Sequence, residues 1–483
     1  MTQSADAPPH RPLPLILAMA PLLVLLAAIC SGVALFGFGG DMLIVAMMIA
    51  ALVAGIIAKR QGAGWTDIQT AAGAKLGAVL PAVLILLGIG ILLGAWMFSG
   101  TIPLMVAGGI ALIDPRYMAL TAFLGTAMMS MMTGTSWGSA GTLGVAFMAT
   151  ATALGIPLAP VAGAVVSGAY FGDKMSPLSD TTNIAAIAAG APLLEHVHHM
   201  LYTAVPSFVV AGMIYAALGL FGGAPALTDG GAGIETVTAL NALFHLDLWC
   251  VLPILVAVGG IAWRQPPALV ILASAVLALV IGVADQGFAA RDAVILVMRG
   301  FDVSMTGADP ASLPASLPGL LNRGGLASMA ETLIFIITAF LLAGAMEASG
   351  ALSRLLTGLL AGANSVWRLI AATMLSGTVM VSVTSHAGVT ALIVGELFRP
   401  AFKRLGLAPV NLSRSIEDSA TIVEPLLPWT VSALFMATTL GVPTLEYAPW
   451  AFFCVGGPIM SLSYAVLAKR WGFGIRLLPD MTG

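Results

Sequence analysis

The chain has 483 residues and a formal net charge of −3, with 8% charged and 59% apolar side chains; a soluble globular protein carries roughly 25% charged residues. So few charges cannot cover a water-facing surface, which excludes a soluble enzyme on a single anchor. The lack of a basic excess excludes a nucleic-acid partner.

In chain order, residues 1–14 are polar and proline-rich, and the apolar run after them is long enough to span a membrane. No small-residue cleavage site stands out, so this run reads as a retained first helix and not a signal peptide. A spanning helix needs about 20 mostly apolar residues. Segments 15–36, 42–58, 76–98, 201–221, 248–263, 267–283, 332–348, 366–383 and 450–467 qualify. They are apolar throughout and do not alternate, which predicts helices and not a barrel. Segments 222–247 and 285–328 read as polar linkers or short interfacial helices. Lys59, Arg60 and Lys75 follow the second span, and Lys469, Arg470 and Arg476 follow the last; by the positive-inside rule both termini face the cytoplasm. Cys30, Cys250 and Cys454 lie far apart in apolar segments and read as core residues.

Two zones, 117–190 and 366–441, do not parse as simple spans. The first contains Thr-Gly-Thr-Ser-Trp-Gly-Ser-Ala-Gly at 133–141 and Gly-Ala-Tyr-Phe-Gly-Asp-Lys-Met-Ser-Pro-Leu-Ser-Asp-Thr-Thr-Asn at 168–183. The second contains Thr-Ser-His-Ala-Gly at 384–388 and Ser-Ile-Glu-Asp-Ser-Ala-Thr-Ile-Val-Glu-Pro-Leu-Leu-Pro-Trp at 415–429. Broken backbone at membrane depth is tolerated only inside protein or beside a watery cavity, so these four breaks are expected to line a polar site. Thr135-Ser136 and Thr384-Ser385 are 249 residues apart, while Pro177-Leu178 and Pro425-Leu426, like Thr182 and Thr430, are 248 apart. Matched breaks in two halves predict a duplication with a transport site between the repeats. The expected organisation is a first half, 1–225, connecting spans and linkers at 226–328, and a second repeat with a C-terminal helix at 329–483. The fold class is an all-α polytopic membrane protein with about 11–13 membrane segments, including re-entrant hairpins and broken helices.

A carboxylate in a membrane helix costs about 2.5–3.5 kcal/mol on insertion scales, so those present usually face a cavity or a partner. Asp173, Asp180, Glu396, Glu417, Asp418 and Glu424 lie in or beside the breaks. Desolvation favours a neutral acid and a bound cation favours the ionised one; one carboxyl can hold a proton or a sodium ion, but hardly both. Sodium is a hard cation and wants oxygen ligands. Hydroxyls come from Thr135, Ser136, Ser176, Thr181, Thr182, Thr384, Ser385, Ser419 and Thr421, with freed carbonyls and the negative ends of half-helices beside them. Asp173 and Asp418, one from each repeat, are the expected exchange groups for H⁺ and Na⁺. For Asp173 and Asp418, as for Asp180 and Glu417, the competing role is a helix cap or a structural ion pair, and Glu396 is expected to pair with Arg399. Lys174 either neutralises an empty acidic site or snorkels to an interface. His386, inside a break, is either a structural residue or a pH-sensitive group; it and Glu424 are expected to tune the pH response or contribute directly. His196, His198 and His199 read as an interfacial amphipathic turn, and Trp137 as packing for a hairpin tip.

The motifs at 134–138 and 168–183 resemble the signature of the NhaC family of Na⁺/H⁺ antiporters. So do Gly395–Pro400, Asn411–Arg414, Glu417-Asp418-Ser419 and Pro425–Trp429 in the second half. The resemblance implies a secondary transporter of the cytoplasmic membrane with inverted repeats and paired re-entrant hairpins, exchanging Na⁺ for H⁺. Relatives couple Na⁺ or H⁺ to malate, lactate or amino acids, so an organic anion or amino acid is the alternative cargo. Where the family usually reads Thr-Gly-Asp-Gln-Tyr, this chain reads Thr384-Ser385-His386-Ala387-Gly388, and Glu424 stands where a Ser usually precedes Pro-Leu. One acid is lost and another gained in the same half. The expected partners are the lipid bilayer, Na⁺ and H⁺, with room for a homodimer and no resident cofactor. No P-loop, HExxH or Ser/His nucleophile spacing points to ATP coupling or an enzyme.

Overall fold

The computed structural model describes residues 13–36, 40–221, 231–309, 313–314, 316–471 and 474–478. The N-terminal stretch to residue 12, the linker part 222–230 with the expected division at 225, and the side chains of Lys469 and Arg470 lie outside the described residues. Among those described, nearly every element is helical, and β-structure is limited to the isolated bridges Phe301–Arg323 and Leu407–Leu477. Seven helices are long and apolar enough to cross a membrane, or up to ten spans if each of three bent pairs counts as one.

Most spans lie where the apolar runs put them, as in Leu15–Phe36, Pro267–Ala284, Ala330–Ala348 and Val366–Thr384. Two expectations are corrected. The run at 76–98 breaks at Val79: Trp65–Ala78 is a separate helix, and the span is Leu80–Phe98 with Pro81 in its first turn, where a missing N–H costs nothing. Lys75, counted above as an interfacial charge, is buried and pairs with Glu347 at 2.6 Å. The span expected at 201–221 begins earlier, as Leu193–Phe221, so the histidines belong to a continuous helix and not to an interfacial turn. His198 is exposed, but His196 and His199 are buried.

The duplication is visible in helix boundaries. Leu80–Phe98 and Ala330–Ala348 have 19 residues each and are offset by 250, as are the left-handed glycines Gly100 and Gly350 that follow them. Beyond that point the offset is 251. It relates Gly155 to Gly406 (φ 65° and 67°), the helix starts after Pro157 and Ala408, and the helices Asp180–Ala189 and Val431–Leu440 with their C-capping glycines Gly190 and Gly441. The offsets of 248 and 249 suggested by letter matches are therefore corrected: backbone conformation recurs at 251.

Met118–Thr133 and Leu158–Met175 pack closely along their length. A Cβ at Gly168 or Gly172 would collide with backbone at Phe123, Ala127 and Met131, so the GxxxG spacing here serves helix packing. Ser130 adds a hydrogen bond to the Ala169 carbonyl at 2.6 Å. This contact fixes the end of Leu158–Met175 that carries Asp173 and Lys174.

Candidate cation site

Each repeat breaks twice, and the breaks use the same backbone device. In the first, the helix ending at Thr133 is terminated by left-handed Gly134; extended Thr135 then caps the next helix, its hydroxyl accepting from Gly138 N–H at 3.2 Å. In the second, the helix ending at Thr384 is terminated by Ser385 at φ 56°, and extended His386 caps Ala387–Arg404, its Nδ1 accepting from Gly388 N–H at 3.1 Å. The later breaks also correspond: Ser179 caps Asp180–Ala189 through Thr182 N–H, and Thr430 caps Val431–Leu440 through Ala433 N–H. Three hydroxyl oxygens and the His386 ring nitrogen here satisfy helix donors that lipid would leave unpaired.

The breaks converge on a cavity of about 640 Å³. Thr135, Ser136, Asp173, Asp180, Thr181, His386, Thr421 and Glu424 line it, so eight of the candidate site residues singled out in the sequence meet at one place. Asp173 is 4% exposed; its Oδ2 accepts from Ser136 Oγ at 2.8 Å, and its Oδ1 makes no hydrogen bond. Glu424, also 4% exposed, lies 251 positions on. Its Oε2 accepts from Ala387 N–H at 3.1 Å and its Oε1 makes no hydrogen bond. Ser136 and Ala387 are themselves corresponding residues, each the first of its helix. Asp180 is exposed, and Thr181 shares a 3.0 Å hydroxyl contact with Ser179. Trp137 lines the cavity and stacks on Phe435 with ring centroids 4.2 Å apart, tying the first tip to the second repeat.

The other residues fall outside the cavity. Asp418 forms a fully buried ion pair with Lys174 and accepts from Thr203 Oγ1 at 3.3 Å. Its position corresponds to Ser167, so although Asp173 and Asp418 come one from each repeat, the residue at the position equivalent to Asp173 is Glu424. Lys174 neither snorkels nor faces the cavity. Glu417 is buried and lies with Asp418 on a π-helical turn, Glu417–Thr421. Such turns are frequent at functional sites. Ser176, Thr182, Thr384, Ser385 and Ser419 are buried, with their hydroxyls engaged by protein partners. Ser176 accepts from Leu178 N–H, Thr182 bonds the carbonyls of Asp173 and Lys174, and Thr384 pairs with Thr390. Ser385 and Ser419 bond the carbonyls of Trp429 and Ser415. Arg399 does not pair with Glu396; its guanidinium donates to the carbonyls of Ile187 and Ala188 at 3.0 and 2.5 Å, where the negative helix end attracts it.

Sequence reasoning missed Tyr170, Ser432 and Arg264, which also line the cavity. Tyr170 had a signal, since it sits three residues before Asp173 and so shares its helix face. Arg264 holds a left-handed turn at φ 58° between two spans, which no local pattern announces.

A family model described as the Na⁺/H⁺ antiporter family matches residues 168–469. An uncharacterised Na⁺/H⁺ antiporter of Haemophilus influenzae is 42% identical over 92% of this chain and 94% of its own length. The Na⁺/H⁺ antiporter NhaC of Alkalihalophilus pseudofirmus is 36% identical over 87% and 89%. A malate-2H⁺/Na⁺-lactate antiporter of Bacillus subtilis is 31% identical over 87% and 88%. With a family model covering more than half its length and relatives aligned along most of it, the chain belongs to the Na⁺/H⁺ antiporter family.

Proposed function

We infer that this multi-pass membrane protein is a secondary antiporter that exchanges Na⁺ for H⁺, and that the exchange occurs in the cavity between the repeats. The observation that carries the assignment of the site is Asp173. It is a buried carboxyl with one oxygen held by Ser136 and the other making no hydrogen bond, facing a cavity lined by hydroxyls. A sodium ion there would take Asp173 Oδ1 with Ser136 and Thr135 as neighbouring oxygen donors. A proton on the same carboxyl removes the charge that holds the ion, so the two bind alternately. Glu424 supplies a second acid from the other repeat. His386 lies next to it, its Nδ1 committed to the Gly388 N–H. Lys174 acts from outside the cavity, where Asp418 balances it.

The expected test is Na⁺-driven proton flux in proteoliposomes. Asp173→Asn should abolish the flux while the protein still inserts; retained flux removes Asp173 from the mechanism. The basic residues Lys59 and Arg60 after the second span support a cytoplasmic-membrane orientation with the N-terminus inside. A second reading, a Na⁺- or H⁺-coupled carrier of a small organic acid, is favoured by the cavity itself. Its volume lies in the range of small-molecule sites, and Arg264 lines it. Malate- or lactate-stimulated Na⁺ movement separates the two.

A further inference from the structure

Away from the cavity, two helices face each other with polar stripes inside the membrane. On Leu193–Phe221 the stripe is Glu195, His196, His199 and Thr203, spaced to lie along one helix face. On Pro409–Ile416 and the π turn after it, the stripe is Asn411, Ser413, Arg414, Glu417 and Asp418. The stripes touch along their length. Near the surface, half-exposed Arg476 pairs with Glu195 at 2.6 Å, while its backbone exchanges hydrogen bonds with Asn411. Deeper, Ser413 Oγ lies 2.7 Å from His196 Nδ1, and Thr203 reaches Asp418, which holds Lys174. Lys174 adjoins Asp173 in the chain, yet only Asp173 lines the cavity. The end of Leu158–Met175 therefore separates two polar regions.

Below its surface end the stripe is buried and only partly satisfied. Half of the fourteen buried side-chain polar atoms without a hydrogen bond among the described residues belong to it: His196 Nε2, His199 Nε2, Arg414 Nε and Nη2, both Glu417 oxygens and Asp418 Oδ2. Native proteins leave few such groups without water or a partner, and polar sites of this kind hold bridging water. Chains of Asp, Glu and His inside membranes mark proton relays. A sodium ion would meet the repulsion of two buried cations, Lys174 and Arg414, both near Asp418. A proton is handed from group to group, one entering at one end as one leaves at the other.

We propose that this stripe is a water-containing passage that carries protons, and not Na⁺, between the surface at Glu195–Arg476 and the acid end of Leu158–Met175, separate from the cavity through which Na⁺ comes and goes. Tyr202 on the same helix and Tyr464 on Phe452–Trp471 face Arg414, and Cys454 faces Lys174. Among the described residues, the one further carboxylate that faces the passage is Asp173, which acts on Glu417. The proposal rests on the exchange reading above.

His196→Phe and Thr203→Leu place apolar bulk at two depths of the passage without touching the cavity. In proteoliposomes two rates are measured: Na⁺-driven proton flux, and exchange of radioactive Na⁺ for Na⁺, which needs no proton. Each variant is expected to lose proton flux by about tenfold or more while Na⁺–Na⁺ exchange persists, and His196→Gln should recover part of the flux. Equal loss of both rates in the variants that insert, or full proton flux in either variant, overturns the passage. Wild-type vesicles that show Na⁺–Na⁺ exchange without Na⁺-driven proton flux overturn the exchange reading instead.

Discussion

Glu424 stands to Ala387 as Asp173 stands to Ser136: each acid accepts one hydrogen bond from the first residue of the broken helix opposite it, at 3.1 and 2.8 Å. The donor differs. In the first repeat it is a hydroxyl, which can also bind a cation; in the second it is a backbone N–H, which cannot. If the site proposed above holds Na⁺, this asymmetry favours the Asp173 side, and Glu424→Gln is expected to weaken exchange less than Asp173→Asn. Parallel measurement of Na⁺-driven proton flux for the two variants decides it, and a larger loss in Glu424→Gln reverses the assignment.

Ser136→Ala deletes the hydroxyl but keeps the helix start. A hydrogen bond to a charged group contributes about 1.5–3 kcal/mol, so apparent Na⁺ affinity should fall by about tenfold or more with insertion unchanged. Half-saturation by Na⁺, read from the flux, checks this.

Competition for one carboxyl also fixes a pH dependence. As pH falls, protons occupy Asp173 and the apparent affinity for Na⁺ weakens, approaching about tenfold per pH unit when protonation dominates. The maximal rate at saturating Na⁺ should change much less. An Na⁺ half-saturation that does not move with pH rules out a shared site.

Removing one partner of a buried ion pair leaves an uncompensated charge and costs about 3–5 kcal/mol. Lys174→Met is therefore expected to lower thermal stability in detergent sharply, and the double variant Lys174→Met/Asp418→Leu to recover much of the loss. If the double variant is no more stable than the single, the pair is not the source of the effect.

Gly134→Ala forces a side chain into a left-handed position that presses on Leu178. The backbone penalty is about 1–2 kcal/mol, to which the contact adds. Ser385→Gly relaxes the corresponding position and should be tolerated or stabilising. Thermal unfolding of both variants tests whether the two tips share one geometry.

Composition and continuous apolar runs were enough to read the spans, because lipid permits little else. The four breaks were legible for the same reason: Gly, Pro and hydroxyl clusters at membrane depth need protein around them. The register between the repeats was not legible. Thr135-Ser136 and Thr384-Ser385 match as letters, yet what recurs is a left-handed residue followed by an extended cap, a role filled by Gly134-Thr135 in one half and Ser385-His386 in the other. Which face an acid takes was also hidden. Glu417, Asp418 and Glu424 lie within eight residues, but a π turn rotates the chain between them, so only the last reaches the cavity. The histidines were misread because their partners, Ser413 and Arg414, are more than two hundred residues away.

Arg399 has a mechanical consequence. Its guanidinium, carried by a helix of the second repeat, grips the carbonyl end of Asp180–Ala189 in the first. Arg399 is exposed, so parting that grip costs less than the about 1.5–3 kcal/mol of a shielded charge-assisted bond, but it still breaks both contacts at once. If Asp173 is uncovered on alternate sides, as proposed, this contact is expected to keep the two hairpins together as they move against the remaining helices.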